Sequence, residues 1–231
     1  ATYLLVRQVS YDWVHEVDGR LAIQRLDRAA AKPRASAAEL EENLQQIAKW
    51  TEATVQFSMD FIKGVRLQQG INKIAYKDIS KYGEMVTQKY AYGGIDIAAD
   101  EALIVEMDRV PDGVYWSFQM ADAWSYTLPY HTRHTSLNNA QIARDSDGKL
   151  RLVICDRDPG IRNWLDTCGR EAGTIAFRNY RSKTPLVPKT TKVKFADLNA
   201  LFPKDVARVT PQQRAEIVED RRQAQLKWYG E

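Results

Sequence analysis

Cysteine is scarce, with two residues, Cys155 and Cys168, in a chain of 231. Two cannot build the disulfide framework of a small secreted domain. Neither has companion cysteines or histidines at zinc-finger spacing. Both read as small buried hydrophobes, one of which could line a pocket. An excess of one charge is also missing. The net charge is +3, with acids and bases interleaved, so nucleic-acid binding has no electrostatic support. No apolar run approaches the ~20 residues that span a bilayer, and no apolar leader opens the chain. Ala1 rather than Met begins the numbering, as in a processed or recombinant chain, so the missing leader only weakly favours the cytoplasm and leaves the periplasm open. The motifs GxGxxG, GxxxxGK[ST], GxSxG, HExxH and CxxC are all absent, which removes the nicotinamide, flavin, P-loop and zinc-protease readings. No cofactor is expected and no metal ligand set is assigned. Internal repeats and low-complexity tracts are missing too.

What remains is an ordinary globular composition, 44% hydrophobic and 27% charged, long enough for a large core. Tyr3 to Val17 has apolar residues at roughly helical spacing. Residues 27–35, with Pro33, read as a linker. Ser36 and Glu39 form a capping box that starts a helix, and Leu40, Leu44, Ile47, Thr51, Val55 and Phe61 fall near one face to about Ile62. From Gly64 to Gly94 the periodicity fails, and Gly70, Gly83, Gly93 and Gly94 suggest an irregular arm or lid. Beyond residue 95 the chain alternates. Val114, Trp116, Phe118 and Met120 point one way, and Tyr115, Ser117 and Gln119 the other. Leu150, Leu152 and Ile154 share a face, as do Ile175 and Phe177. Thr210 with Gln213 caps a last, highly charged helix, whose expected contacts are Ile217, Ala224, Leu226 and Trp228. The organisation expected is therefore a helical segment 1–63 packed on the main domain, an arm or lid 64–94, an antiparallel β-sandwich 95–209 and a helix 210–231. The arm and the last helix are candidates for building a homo-oligomer.

Chemistry concentrates between residues 115 and 180. "YHTRHTSLNN" sets His131 and His134 around Arg133, and His is the side chain that takes and gives a proton near neutral pH. His131, His134, Arg133 and Tyr130 are the candidate catalytic residues, with Arg133 and Tyr130 to stabilise negative charge on oxygen. Trp116, Trp124, Tyr126 and Trp164 could hold a flat apolar molecule, and Asn138, Asn163 and Asp166 could orient it. Each has a blander reading: the tryptophans as core, the asparagines as turn formers, Asp166 as an ion-pair partner of a nearby arginine. His15 reads as structural.

The segments "DEALIVEMD", "YWSFQMADAW", "HTSLNNAQ", "DGKLRLVICDRDPGIRNWLDTCG" and "RVTPQQRAEIVEDRRQAQLKWYG" resemble the bacterial family called domain of unknown function 1214. The likeness runs from about residue 90 to 231, and "YLLVRQVSYDW" also fits larger relatives. The resemblance implies a jelly-roll-like β-sandwich with flanking helices. Some relatives carrying a further domain, which is not expected in this sequence, are linked to phosphoester hydrolysis. The family supplies no agreed catalytic residues.

The leading functional expectation is thus a cofactor-independent catabolic enzyme doing acid–base lyase or hydrolase chemistry on a small aromatic or apolar hydroxylated compound, lignin-derived in its sharpest form. A metal-assisted phosphoester hydrolase is one alternative. The other is a β-sandwich that binds a carbohydrate or other small ligand without turnover. No nucleic-acid or membrane partner is expected.

Overall fold

Residues 6, 8, 12, 15–17, 19–24, 26–27, 34–68, 70–76, 87–184 and 186–229 are described in a computed structural model of the chain. In chain order the strands are β1 (Ala75–Tyr76), β2 (Gln88–Asp96), β3 (Glu101–Met107), β4 (Tyr115–Asp122), β5 (Ser136–Asn138), β6 (Leu150–Cys155), β7 (Trp164–Asp166), β8 (Ala172–Tyr180) and β9 (Lys189–Lys194). They form two sheets, ordered β1-β2-β8-β4-β5 and β7-β6-β3-β9. All neighbours are antiparallel except β6 and β7, which run parallel. The helices are α1 (Ala37–Lys63), α2 (Leu198–Leu201) and α3 (Pro211–Tyr229). The fold is mainly β with flanking helices, as the alternating segments predict. No helix among the described residues is long and apolar enough to cross a membrane.

Alternation decides which side chains meet between the sheets. Trp116, Phe118 and Met120 of β4, with Ile175 and Phe177 of β8, face Leu103, Val105 and Met107 of β3 and Leu150, Leu152 and Ile154 of β6. Phe118 and Phe177 stack with centroids 4.8 Å apart at the centre. Each large side chain buried here contributes about 1.5–3 kcal/mol. The two outer faces differ. Behind the four-stranded sheet, Val153 and Cys155 are covered by Ile161, Trp164, Leu198, Phe202 and Val206, so β6 is buried on both sides. Behind the five-stranded sheet Tyr90, Tyr92, Ser117 and Gln119 remain partly exposed and Arg178 exposed.

Several expectations need correction. The sandwich begins before residue 95, because β1 and all of β2 belong to the five-stranded sheet. Gly93 and Gly94 do not interrupt this strand; they let other backbone cross it. A Cβ on Gly93 would lie 2.4 Å from the Lys73 carbonyl oxygen, and one on Gly94 3.0 Å from Arg66 Cγ. The arm assigned to 64–94 therefore contains a π-helical turn (Gly64–Gln68), β1 and most of β2, while 77–86 lie outside the described residues. The helix expected over 3–17 and the 27–35 linker fall largely outside them too; residues 6, 8, 12 and 15–17 are not helical.

The capping box of α1 is present in both directions, but this helix has no buried residue. It is not packed along the sandwich. Among the described residues its C-terminal end is held there, by Phe61 edge-on to Tyr92 at 5.1 Å and by the following Arg66 donating to the Ile95 and Gly173 carbonyls. The Thr210–Gln213 box of α3 is also present. Its buried stripe, however, includes two arginines, Arg214 and Arg221, with Ala224, whereas Leu226 is exposed and the Trp228 side chain lies outside the described residues.

Candidate functional site

The histidine segment does not gather its rings into one hollow. His134 is buried under α3. Its Nδ1 lies 2.5 Å from the Trp164 carbonyl oxygen, so this nitrogen carries the hydrogen and donates. Its Nε2 is left to accept from Arg214, 3.4 Å away. The ring also stacks on Trp164 at 6.0 Å. Burial, reinforced by Arg221 and Arg214, holds this imidazole well below its ordinary pKa. It is neutral, doubly engaged and shut off from solvent, which suits a structural pin rather than a proton carrier. Arg133 forks onto Asp166 at 2.6 and 3.1 Å, and Asp166 also accepts from the Cys168 N–H at 2.7 Å. His131 stands edge-on to Tyr130 at 5.7 Å.

The expected ligand platform is dispersed as well. Trp116 lies in the main core. Trp164 lies in the second cluster, its indole N–H donating to the Cys155 carbonyl at 2.9 Å. Trp124 and Tyr126 project from a turn, 66% and 78% exposed, their N–H groups donating to Asp122 Oδ1. Asn163 spends its amide on Ala143 and the Arg151 carbonyl, so it ties a loop to β6. Asn138 accepts from the Ala140 and Gln141 N–H groups, which is the turn-forming role. Among the described residues no group of three or more His, Cys, Asp or Glu stands ready to hold a metal ion.

Two of the expected residues, Tyr130 and Asn138, do meet in a hollow of about 170 Å³ on the open face of the five-stranded sheet. Strand register builds it. Tyr90, Arg178, Ser117 and Asn138 follow one another across β2, β8, β4 and β5; Tyr92, Ala176, Gln119 and Ser136 form the next row. Residues directly opposite in neighbouring strands share a face, so each row crosses about 14 Å of the same surface. Tyr115, Ser117, Gln119, Ser136 and Arg178 line the hollow, with Tyr130 and Gln141 at its edge. On the side toward α1, Tyr90 and Tyr92 lie nearly parallel, 5.7 Å apart at 11°, and the Arg178 guanidinium sits 5.2 Å from the Tyr90 ring centre. Arg221 supports the floor from behind. It donates to Ser136 Oγ at 3.1 Å and to the Ser136 carbonyl, which leaves the serine hydrogen to point elsewhere. Burial and Arg214 lower the Arg221 pKa to about 10, so it remains a cation at neutral pH.

The sequence carries the signal for half of this surface: Tyr115, Ser117 and Gln119 alternate with the core residues of β4, so they had to face outward. Tyr90, Tyr92 and Arg178 escape a sequence reading because only the register of β2 and β8 brings them beside β4.

Fold and face together define a two-sheet β-sandwich with flanking helices, in which the outer face of the five-stranded sheet is partly exposed among the described residues. Residues 94–184 match the family described as Protein of unknown function (DUF1214). The chain is similar to a solved, uncharacterized protein from Burkholderia cenocepacia, at 28% identity and a TM-score of 0.70, over 75% of this chain and 48% of that one. It thus spans about half the length of that protein. The VPA0106 protein from Vibrio parahaemolyticus matches 46% of this chain and 31% of its own at 14% identity and a TM-score of 0.37. No curated protein matches the chain.

Proposed function

We propose that the open face of the five-stranded sheet binds a small polyhydroxylated ligand of the carbohydrate type, without turnover. The observation that carries this reading is the pairing of flat rings with hydroxyl and amide groups on one surface. Tyr90 and Tyr92 offer a pair of nearly parallel rings, and Ser117, Gln119, Ser136 and Gln141 offer donors and acceptors in the adjoining hollow. Sugar rings need both, an apolar face to lie on and polar groups to read the ring hydroxyls. The hollow is smaller than the ~300–1,000 Å³ of drug-sized pockets, which suits one ring at a time. Binding is preferred to the acid–base chemistry expected above because His134, with both nitrogens engaged beneath α3, does not face this surface.

Calorimetric titration with a neutral glucose oligomer and with an oligogalacturonate tests the proposal. At least one should bind, and Tyr90→Ala and Gln119→Ala should each weaken that binding roughly tenfold with the melting temperature little changed. Failure of both oligomers to bind the folded protein, or indifference of binding to both substitutions, would reject it.

A further inference from the structure

The charge lining the hollow is one-sided although the chain as a whole is nearly balanced, at +3. Among the described residues lining the hollow, none is Asp or Glu. Arg178 is exposed in its wall, at the centre of a row with Tyr90 on one side and Ser117 on the other. The Tyr90 ring holds its guanidinium in place at 5.2 Å. A second guanidinium, Arg221, stands directly behind Ser136 and polarises that hydroxyl toward donating. Several cations elsewhere on the fold are matched by carboxylates: Arg151 by Glu106, Asp145 and Asp147, Arg214 by Asp158, Lys192 by Glu101. Arg178 lies against a ring instead, with no carboxylate among the residues lining the hollow. A planar guanidinium with several N–H donors, fixed beside hydroxyl and amide groups, is shaped to accept a carboxylate in bidentate fashion. A neutral sugar would leave that donor fork facing water with no gain.

Resting on the binding reading above, we infer that the face selects acidic saccharides, with Arg178 taking the uronate carboxylate while Ser117, Gln119 and Ser136 read the neighbouring hydroxyls. The tyrosine pair supplies the ring platform and does not discriminate charge. Phosphate-bearing ligands would meet the same guanidinium, but the shallow, amide-rich surroundings favour the flatter carboxylate.

The test compares a neutral glucose oligomer with an oligogalacturonate of equal length, on the whole chain, at low and at physiological ionic strength. The uronate oligomer should bind at least tenfold more tightly at low salt, and the advantage should shrink as salt screens the charge pair. Arg178→Gln should bring the uronate affinity down to that of the neutral oligomer, and Arg178→Lys should retain part of the preference as a point charge without the fork. Inorganic phosphate added as competitor should displace the uronate oligomer only weakly. Equal affinities for the two oligomers, or a preference that survives in Arg178→Gln, would overturn the selection of acidic saccharides and leave the binding reading standing. Binding of neither oligomer would overturn both. Unfolding curves of the Arg178 variants act as the fold control, because this side chain is exposed and outside the core.

Discussion

The His134 imidazole and the Arg214 guanidinium meet at 3.4 Å with the histidine as acceptor, an arrangement open only to a neutral ring. Arg214 is itself bound to Asp158 at 2.9 Å and donates to the Ile161 carbonyl at 2.6 Å, so it clamps α3 onto the 158–163 loop. The histidine therefore belongs to the seam that joins this helix to the sandwich.

That seam predicts a pH dependence of stability. The folded imidazole has its pKa depressed well below 6.5, by burial first and then by Arg221 and Arg214. The unfolded chain takes up a proton near pH 6.5, while the folded chain resists it until lower pH. Between those two values the unfolded state binds more protons, so stability is full above about pH 6.5 and falls as pH drops toward the folded pKa. Each pH unit inside that window costs about 1.4 kcal/mol. The melting temperature of the wild type should fall between pH 7 and pH 5. In His134→Asn, whose amide can still donate to the Trp164 carbonyl, the protein should be weaker at pH 7.5 but its curve flatter. Parallel curves for the two proteins would remove His134 as the source.

Gly93 makes a sharper steric prediction. A methyl group there would approach the Lys73 carbonyl oxygen to 2.4 Å, and backbone cannot swing aside as a flexible side chain would. Gly93→Ala should cost about 1–3 kcal/mol, the range for overpacking a closed site. Hydrogen exchange should accelerate selectively at residues 71–76, where β1 and the Ile71–Gly94 bridge are held against β2. A melting temperature within a degree of wild type would show that the strands do not cross this closely in solution.

The stripe on α1 predicts an absence of effect. Leu40, Leu44, Ile47, Trp50 and Val55 are each more than half exposed, at 52–68%. Trp50→Glu should therefore change stability by no more than about 0.5 kcal/mol, as for an ordinary surface site. Chemical denaturation together with solution light scattering checks this. A loss beyond about 1.5 kcal/mol, or a change in particle mass, would mean that the stripe is covered in solution.

Local chemistry makes the starts of α1 and α3 legible in the sequence. A capping box is read within four residues, and both stand as expected, Ser36 with Glu39 and Thr210 with Gln213. Period-two alternation is equally local, and it places Trp116, Phe118 and Met120 inward and Ser117 and Gln119 outward. Gly93 and Gly94 mislead because a glycine pair reads alike whether it breaks a strand or lets another backbone cross it.

Composition, caps and alternation by themselves determined that this chain forms a mainly β body with flanking helices, because each of those signals is settled among near neighbours. Only the tertiary structure decided which polar residues are buried. Arg214 and Arg221 belong to a helix that its sequence marks only as highly charged, yet they reach His134 and Ser136 far back along the chain. Only strand register decided that Tyr90, Arg178 and Ser117 share one surface, since pairing between distant strands depends on how the whole sheet closes on its core.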